Sequence, residues 1–406
     1  MTRNALIAAA VWLAGATAMA ATAATAADVG TRETWLAPAH NAAAFQNIDE
    51  LFPSRRVPGA TKVLPLTPAA TPLAATYVYE GRTYSTEDFM TRNKVSGLLI
   101  LKGQTVLLER YAQGADAGTT FVSFSMGKSI VSTLIGLAIA EGRIGGLDDP
   151  IAKYLPDVKG GAYEAATIRD VLEMSSGTSF QEAYAEGGSS IAKFIGVFEK
   201  NEGGLYDFAR DFPAVRKPGT KFQYASADTE VLGAVLRKAL GGEPLAAYLS
   251  RKVWAPMGAE AEARWMMDAP GAPGHEVAAG GVLARLRDYG RFGLMFARGG
   301  ELNGRRIVPA DWVAAATRAN RPQVENGRLS AEHGWGYGYQ WWLPPGEKGV
   351  FVAIGIFGQY IYVDPGRDLV IVKTAAWPTA DDGLSAVETL EFYRGVAAAV
   401  DKRGGR

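Results

Sequence analysis

The sequence contains no cysteine among its 406 residues and only three histidines, His40, His275 and His333. Without cysteine the chain cannot form a disulfide bond or a thiolate zinc site. The histidines are scattered, and none has a partner at a spacing typical of a metal site, such as H-E-x-x-H. A site built from carboxylates alone stays open, but no run of the D-x-D-x-D-G type supports one. We therefore predict that the protein needs no metal.

The sequence also lacks an excess of charge of either sign. Lysine and arginine together number 42, and so do aspartate and glutamate. This balance gives no overall field that would attract nucleic acid or an anionic membrane, although a local basic patch stays possible. Hydrophobic residues make up 48% and charged residues 21%, which is typical of a soluble globular protein. The composition therefore argues against polyanion binding as the function.

A long apolar run is confined to the N-terminus, where residues 1–27 have the pattern of a targeting segment. Arg3 supplies a positive charge, an apolar stretch from Ala5 to Gly15 follows, and small-x-small sites come after it. A membrane anchor is the alternative, but the stretch is short, rich in alanine and not followed by stop-transfer charges. We expect a cleavable signal peptide and a periplasmic or secreted protein.

The rest of the chain alternates between strand-like and helix-like patterns. Residues 28–75, rich in Pro, Ala and Thr, predict an extended arm, and residues 76–406 a catalytic domain. Alternating apolar residues predict a hairpin at 95–111, and helical periodicity dominates from about 126 to 260. Three further strands are predicted at 335–342, 350–363 and 369–375, before a closing helix at 384–400. Strands at both ends with helices between them predict an α+β fold: an antiparallel sheet covered by helices, with a mainly helical insertion.

Ser125 and Lys128 form an S-x-x-K motif that can support nucleophilic catalysis. Three residues apart on a helix, their side chains lie on one face about one turn apart. A serine at the helix start exposes its hydroxyl where backbone N–H groups favour developing negative charge. A lysine buried beneath it loses solvation, so that its pKa falls and its neutral amine can accept the serine proton.

A second S-x-x-K match, Ser190 with Lys193, shows that the pattern alone is not specific. Ser125 follows a hairpin and begins the most hydrophobic helical segment of the chain, whereas Ser190 follows a Gly-Gly-Ser stretch. There a helix-capping serine and a solvated lysine explain the residues without any chemistry. We assign Ser125 as the nucleophile.

The segment 124–139 resembles the nucleophile helix of the serine β-lactamase and penicillin-binding-protein superfamily, for which S-x-x-K is a signature. Its sequence is FSMGKSIVSTLIGLAI. The resemblance extends over roughly residues 45–400 and includes LEMSSGTSF, AAGGVLARLRDYGRFGLM and GYGYQWW. The superfamily's second motif, Y-x-S/N, is matched by Tyr224-Ala225-Ser226. The resemblance implies that Tyr224, as a phenolate or hydrogen-bonded phenol, relays the proton between Ser125, Lys128 and the leaving group. A competing match at Tyr248 falls inside an amphipathic helix and is better explained as a core aromatic.

The third motif of the superfamily, K-T-G, is where this sequence differs. A literal Lys373-Thr374-Ala375 exists, but it falls on the strand after the one that aligns with the motif. The aligned residues are Ala353-Ile354-Gly355, which lack the lysine and threonine that would hold a substrate carboxylate. The resemblance still implies that the N–H groups of Ser125 and Ile356 form an oxyanion hole, with Gly355 at the substrate.

The hydrophobic third motif and the stretch FQEAYAE (180–186) are most similar to the 6-aminohexanoate-dimer hydrolase and esterase group, close to class C β-lactamases in fold. By this resemblance Tyr184 and Ser226 contact the substrate, although Tyr184 could equally be a surface-loop tyrosine. The aromatic run from Trp335 to Trp342 could line an acyl pocket, with about half of it in the core.

The sequence therefore predicts a serine hydrolase that cleaves a small-molecule amide or ester through an acyl-enzyme, without a cofactor. No G-x-S-x-G elbow is present, and no histidine lies in a context that suggests a Ser-His-Asp triad. The alternatives are a β-lactamase or D,D-peptidase, and a non-catalytic module that binds penicillin or peptidoglycan.

Overall fold

The computed structural model describes residues 27–329 and 334–404. The predicted signal peptide at 1–27 lies almost entirely outside the described residues, as does His333. In the described part, no helix is both long and apolar enough to cross a membrane.

In the described residues, most strands lie before and after a long helical stretch. The strands are β1 Ser54–Val57, β2 Thr67–Pro68, β3 Thr76–Tyr79, β4 Arg82–Ser85, β5 Val95–Lys102, β6 Thr105–Tyr111, β7 Thr120–Val122, β8 Ala263–Met266, β9 Val282–Arg285, β10 Glu301–Leu302, β11 Arg305–Arg306, β12 Gly336–Tyr337, β13 Trp342–Leu343, β14 Phe351–Gly355, β15 Gln359–Asp364 and β16 Leu369–Ala375. The α-helices are α1 Asn41–Ala44, α2 Thr86–Arg92, α3 Met126–Ala140, α4 Ile168–Leu172, α5 Ser190–Lys200, α6 Leu205–Arg210, α7 Ser226–Ala239, α8 Leu245–Leu249, α9 Leu286–Ala297, α10 Ala310–Ala316 and α11 Gly383–Gly404.

An eight-stranded sheet in the order β12-β13-β14-β15-β16-β5-β6-β2 forms the centre of the fold. Its strands pair antiparallel except for β2, which runs parallel to β6 at one edge. A second sheet, β1-β8-β9-β7, lies beside the nucleophile. The predicted α+β class and the predicted hairpin at 95–111 are confirmed, because β5 and β6 pair across a two-residue turn.

Both faces of the central sheet are covered, and a large hydrophobic core lies on each side of it. On β5, Leu99 and Leu101 join the core that contains α3 and α9, whereas Leu98 and Ile100 join the core that contains α11. Successive strand residues point to opposite faces, so a strand that is buried on both sides is apolar throughout. This explains why β5 and β16 are almost continuous hydrophobic runs.

The predicted helical region contains α3 to α8, and no strand interrupts residues 126–262, all of which the structure describes. Helix α3 starts at Met126, three residues before the predicted apolar pattern begins at Ser129, and Ser125 is its N-cap. Gly142 ends this segment with φ +70°, as expected for a glycine just beyond a helix C-terminus.

Two predicted strands are wrong as single strands. Residues 335–342 form β12 and β13, which pair with each other around a turn at Gln340, whose φ is +64°. Residues 350–363 form β14 and β15, joined by a tight turn at Phe357 and Gly358, with φ of +59° and +90°. Alternation of apolar residues did not reveal either turn, since Gln and Phe are not typical turn residues at positive φ.

Residues 28–75, predicted as an extended arm, contribute more to the structure than an arm that only lies over the surface. Strand β1 pairs with β8, and β2 pairs with β6. Trp35, Phe45 and Phe52 are buried in the main core. The segment therefore helps to build the region around the nucleophile.

Candidate active site

Ser125 lies at the junction between β7 and α3, in a backbone conformation that the surrounding residues hold in place. The preceding residue, Phe124, has φ +42°, which is unfavourable for a side chain of its size. Its ring packs against those of Trp35, Phe45 and Phe357, with centroids 4.8 to 5.8 Å apart. Ser123 ties the same loop to β9, because its N–H donates to the carbonyl of Val282 at 2.7 Å. Local strain is thus offset by aromatic packing directly before the predicted nucleophile.

Lys128 is buried directly beneath Ser125. Its Nζ is 2.8 Å from Ser125 Oγ, 3.1 Å from Ser226 Oγ and 2.7 Å from the carbonyl oxygen of Ala279. Burial lowers the pKa of Lys128 to about 8, and the nearby carboxylates of Glu182 and Glu230 limit the decrease. A substantial fraction of Lys128 is therefore neutral near pH 8, as a general base requires.

The hydrogen-bond network fixes the direction in which a proton can move. The Ser226 hydroxyl donates to Glu182 Oε1 at 2.7 Å, so it accepts from Lys128. A neutral amine has two N–H groups and one lone pair. Its two N–H groups are used by Ser226 and by the Ala279 carbonyl, which leaves the lone pair directed at Ser125. The arrangement can thus accept the Ser125 proton on Lys128.

Glu182 organises this network and was not predicted as a site residue. Its carboxylate accepts from the backbone N–H of Ser226 at 2.8 Å, from the Ser226 hydroxyl at 2.7 Å and from the Tyr184 hydroxyl at 2.6 Å. The glutamate is visible in the F-x-E-x-Y stretch. Its role depends on the approach of that stretch to the start of α7, which the sequence does not reveal.

Tyr224 lies in the loop before α7, over the Lys128 amine. The Lys128 Nζ is 5.3 Å from the centre of the Tyr224 ring, which stacks on Trp342 at 5.4 Å. Burial raises the pKa of Tyr224 well above its usual range, with the Ser125 hydroxyl acting in the opposite direction. Of the two predicted forms of Tyr224, the structure thus favours the neutral phenol, which can donate a proton.

The end of β14 lies unusually close to the nucleophile. A methyl group on Gly355 would be 2.5 Å from the Ser123 carbonyl oxygen and 3.1 Å from the Ser125 nitrogen, so only glycine fits. Within the part of the chain that the structure describes, the Ser125 N–H donates to no protein acceptor. Ile356 is the residue after Gly355, so its N–H group lies next to the close approach of Gly355 to Ser125. Both Ser125 and Ile356 line the cavities at the site. The geometry is compatible with the predicted oxyanion hole.

Lys373 and Thr374 are not part of this site. Both are fully buried on β16, where Lys373 Nζ donates to Thr389 Oγ1 at 2.7 Å and Thr374 Oγ1 is 3.0 Å from Ser96 Oγ.

The two competing motif matches also fall outside the site. Ser189, next to Ser190, caps α5, and Lys193 is exposed. Tyr248 is a buried core residue whose hydroxyl donates to Glu141.

Two cavities meet at Ser125, and Ser125, Tyr184 and Ile356 line both. The small pocket, of about 80 Å³, is bounded by α5 and by Trp35 of the N-terminal arm. The large pocket, of about 370 Å³, is bounded by Tyr224, Gly355 and several aromatic side chains. Of the predicted aromatic run, Trp335 and Trp342 line the large pocket, whereas Tyr337, Tyr339 and Trp341 are buried. Tyr184 thus lies between the two cavities, and not on a surface loop away from them.

No cluster of three or more potential metal ligands occurs in residues 27–329 or 334–404. The polar groups nearest the Ser125 hydroxyl are those of Lys128, Ser226, Glu182, Tyr184 and Tyr224, and apolar and aromatic side chains line the cavities around them.

Comparison with known proteins identifies the family of the chain. The family model described as beta-lactamase matches residues 86–390. The 6-aminohexanoate-dimer hydrolase of Paenarthrobacter ureafaciens is 31% identical over 358 residues, which are 86% of this chain and 89% of that protein.

Solved structures show the same fold. A Bacillus anthracis protein with the provisional name 6-aminohexanoate-dimer hydrolase superimposes with a TM-score of 0.81 at 21% identity, over 92% of this chain and 97% of its own. The hydrolase EstCE1, described as having promiscuous acyltransferase activity, gives a TM-score of 0.61 at 17% identity, over 77% and 96% of the two chains. The predicted resemblance is confirmed, and the chain belongs to the beta-lactamase family of serine hydrolases.

Proposed function

We propose that this protein hydrolyses an amide or ester through an acyl-enzyme formed on Ser125. Ser125 Oγ attacks the substrate carbonyl carbon while Lys128 accepts the hydroxyl proton. The N–H groups of Ser125 and Ile356 stabilise the oxyanion. Tyr224 donates its proton to the leaving nitrogen or oxygen as the bond to the carbonyl carbon breaks, and Lys128 returns a proton to Tyr224. A water molecule then attacks the acyl group by the same steps in reverse and releases the acid.

The observation that carries this proposal is the contact between the Lys128 amine and the Ser125 hydroxyl. The distance of 2.8 Å permits direct proton transfer, and the lowered pKa of about 8 makes the amine a base near neutral pH. Hydrolase names among the relatives agree with it. A module that only bound penicillin or peptidoglycan would not need a buried base held against a serine that lines an open cavity.

The test is covalent labelling with a fluorophosphonate, followed by mass spectrometry of the digested protein. We expect the adduct on the peptide that contains Ser125. Ser125→Ala should abolish both labelling and turnover of p-nitrophenyl esters, with little change in folding. Ser190→Ala, in the second S-x-x-K match, is the matched control and should keep activity close to that of the natural protein. Labelling at any other serine would refute the assignment.

We further propose that the protein is exported and acts in the periplasm or outside the cell after loss of residues 1–27. The charged, apolar and small-residue regions of this segment support export. N-terminal sequencing of protein recovered from the periplasm or medium should begin near residue 28. Intact Met1 on active cytoplasmic protein would contradict it.

A further inference from the structure

Ser125 lies between two cavities of different chemistry, so the two halves of a substrate must occupy different surroundings. Tyr224 lines the large pocket but not the small one. In the proposed mechanism Tyr224 protonates the leaving group, and a proton donor has to be within hydrogen-bond reach of the atom that it protonates. The leaving group therefore occupies the large pocket, and the acyl chain occupies the small one.

The small pocket is apolar away from the reactive serine. Trp35, Ile191, Phe194, Ile195, Phe198 and Met266 form its wall. Among the described residues that line it, none is charged, and the hydroxyls of Ser125, Tyr184 and Ser226 all lie at the reactive end. With a volume of about 80 Å³, this pocket is several times smaller than the large pocket of about 370 Å³. This space suits a short hydrocarbon chain, and an ammonium group at its far end would lose its hydration without gaining a partner.

The large pocket is aromatic and acidic. The rings of Trp335, Trp342, Tyr360 and Trp377 line it together with the carboxylates of Glu182 and Asp381. No lysine or arginine is among the lining residues that the structure describes. Aromatic faces and carboxylates attract cations, whereas a carboxylate on the ligand would be repelled.

We propose, on the basis of the acyl-enzyme function given above, that the substrate joins a short uncharged acyl group to an aromatic or cationic amine or alcohol. A 6-aminohexanoate dimer has the opposite charge arrangement, since its acyl half ends in an ammonium group and its amine half ends in a carboxylate. Each end would lie in a pocket that disfavours it. The site is therefore selective against zwitterionic substrates of this kind, although the chain is 31% identical to a 6-aminohexanoate-dimer hydrolase.

Two sets of matched esters test the proposal on the full-length protein. The first compares p-nitrophenyl hexanoate with p-nitrophenyl 6-aminohexanoate, which differ in charge at the end of the acyl chain. The second compares butyrate esters of 4-nitrophenol, 3-carboxy-4-nitrophenol and 3-(trimethylammonio)phenol, each rate being divided by the rate of hydrolysis by hydroxide. We expect kcat/KM at least about tenfold lower for the aminohexanoate and for the carboxylated leaving group. The cationic leaving group should match or exceed the neutral one.

Three variants outside the catalytic groups separate the two pockets. Ile195→Ala, in the half-buried part of the small pocket, should move the preferred acyl length upward by one or two carbons without changing the leaving-group order. Trp335→Ala should weaken the preference for the cationic leaving group without changing the preferred acyl length. Asp381→Lys, at an exposed position, should raise kcat/KM for the carboxylated ester relative to the neutral ester by about three- to tenfold.

The outcomes distinguish this inference from the function on which it rests. If the fluorophosphonate does not label Ser125 and no ester is cleaved, the proposed function fails. If Ser125 is labelled and butyrate esters are cleaved, but the aminohexanoate or the carboxylated ester is hydrolysed as fast as its neutral counterpart, the function stands and the substrate inference is overturned. The substrate inference is also overturned if Ile195→Ala changes the leaving-group order and Trp335→Ala changes the preferred acyl length.

Discussion

Lys128 is completely buried and, once it is neutral, directs its lone pair at the Ser125 hydroxyl. Burial alone would lower its pKa further, but the negative charges of Glu182 and Glu230 favour the protonated form. Glu182 also accepts from Ser226 and so determines which atoms of the network donate. The same carboxylate therefore affects both the pKa of the base and the direction of its lone pair.

These two effects of Glu182 predict a particular pH dependence. In the natural protein kcat/KM should rise with pH as Lys128 loses its proton, with an apparent pKa near 8. Glu182→Gln removes a charge that raises the Lys128 pKa, so the rise should move to lower pH. The plateau rate should fall about tenfold or more, because Ser226 and Tyr184 lose a charged acceptor.

The measurement is the pH profile of p-nitrophenyl butyrate hydrolysis from pH 5 to 10. Glu186→Gln is the matched control, since Glu186 is exposed on the same loop and should leave the profile unchanged. A lower plateau without a shift of the profile would mean that Glu182 only holds the structure. A shift to higher pH would contradict its electrostatic effect on Lys128.

At the scale of elements, the site depends on two backbone segments that meet end to end. The start of α3 supplies Ser125, and the turn after β14 supplies Ile356. The residues beside these two, Phe124 and Phe357, both have positive φ, and their rings pack 5.5 Å apart. Each strained residue is thus held by the other and by Phe45 of the arm, whose ring contacts both. This packing keeps the two predicted oxyanion donors on the same side of the cleft.

Elements with regular periodicity could be predicted from the sequence, and elements defined by a turn could not. The β5–β6 hairpin follows from alternation around Gly103-Gln104, and α3 follows from a helical pattern that is apolar nearly all round. The β14–β15 turn was missed because Phe357 looks like one more strand residue. Its positive φ is held by contacts distant in sequence, namely the rings of Phe45 and Phe124 and backbone hydrogen bonds with Ala380 and Trp377.

The site residues divide in the same way. Ser125, Lys128 and Tyr224 could be named because each belongs to a motif with fixed local spacing, and the structure brings them together. Their catalytic roles stay predictions until they are tested. Glu182 and Trp35 could not be assigned, because their proximity to Ser125 depends on loops and an arm that only the folded chain brings there.

At the scale of the whole molecule, the cleft lies between the central sheet and the helical region, and the arm closes one side of it. Trp35 of the arm lines the small pocket and stacks on Phe124. The helical region contributes α5 to the same pocket and Tyr224 to the other. The two pockets are therefore built from several distant segments, whereas the residues proposed to transfer protons come from α3 and from the loop at the start of α7.

The last prediction concerns β-lactams and D-Ala-D-Ala peptides, whose leaving halves carry a carboxylate. In this chain Gly355, the last residue of Ala353-Ile354-Gly355, lies beside the nucleophile, while Lys373 and Thr374 are buried among other partners. A hydrogen bond to a charged group contributes roughly 1.5–3 kcal/mol, so the loss of two could lower kcat/KM by orders of magnitude. Neutral esters lose nothing by the change. We therefore expect short p-nitrophenyl acyl esters to be cleaved far faster than nitrocefin or a D-Ala-D-Ala peptide.

Steady-state kinetics on this panel check the prediction, with Lys373→Met as the informative variant. This change replaces a buried amine with an apolar side chain of similar length, so it should leave the ratio of ester to nitrocefin hydrolysis unchanged. Efficient nitrocefin hydrolysis that disappears in Lys373→Met would show that Lys373 acts on the substrate, and that the third motif lies on β16 and not on β14. Slow nitrocefin hydrolysis by both the natural protein and Lys373→Met would instead support a cleft that binds uncharged or cationic leaving groups. It would mean that Lys373 does not bind the substrate carboxylate, and no other lysine or arginine is among the described residues that line the large pocket.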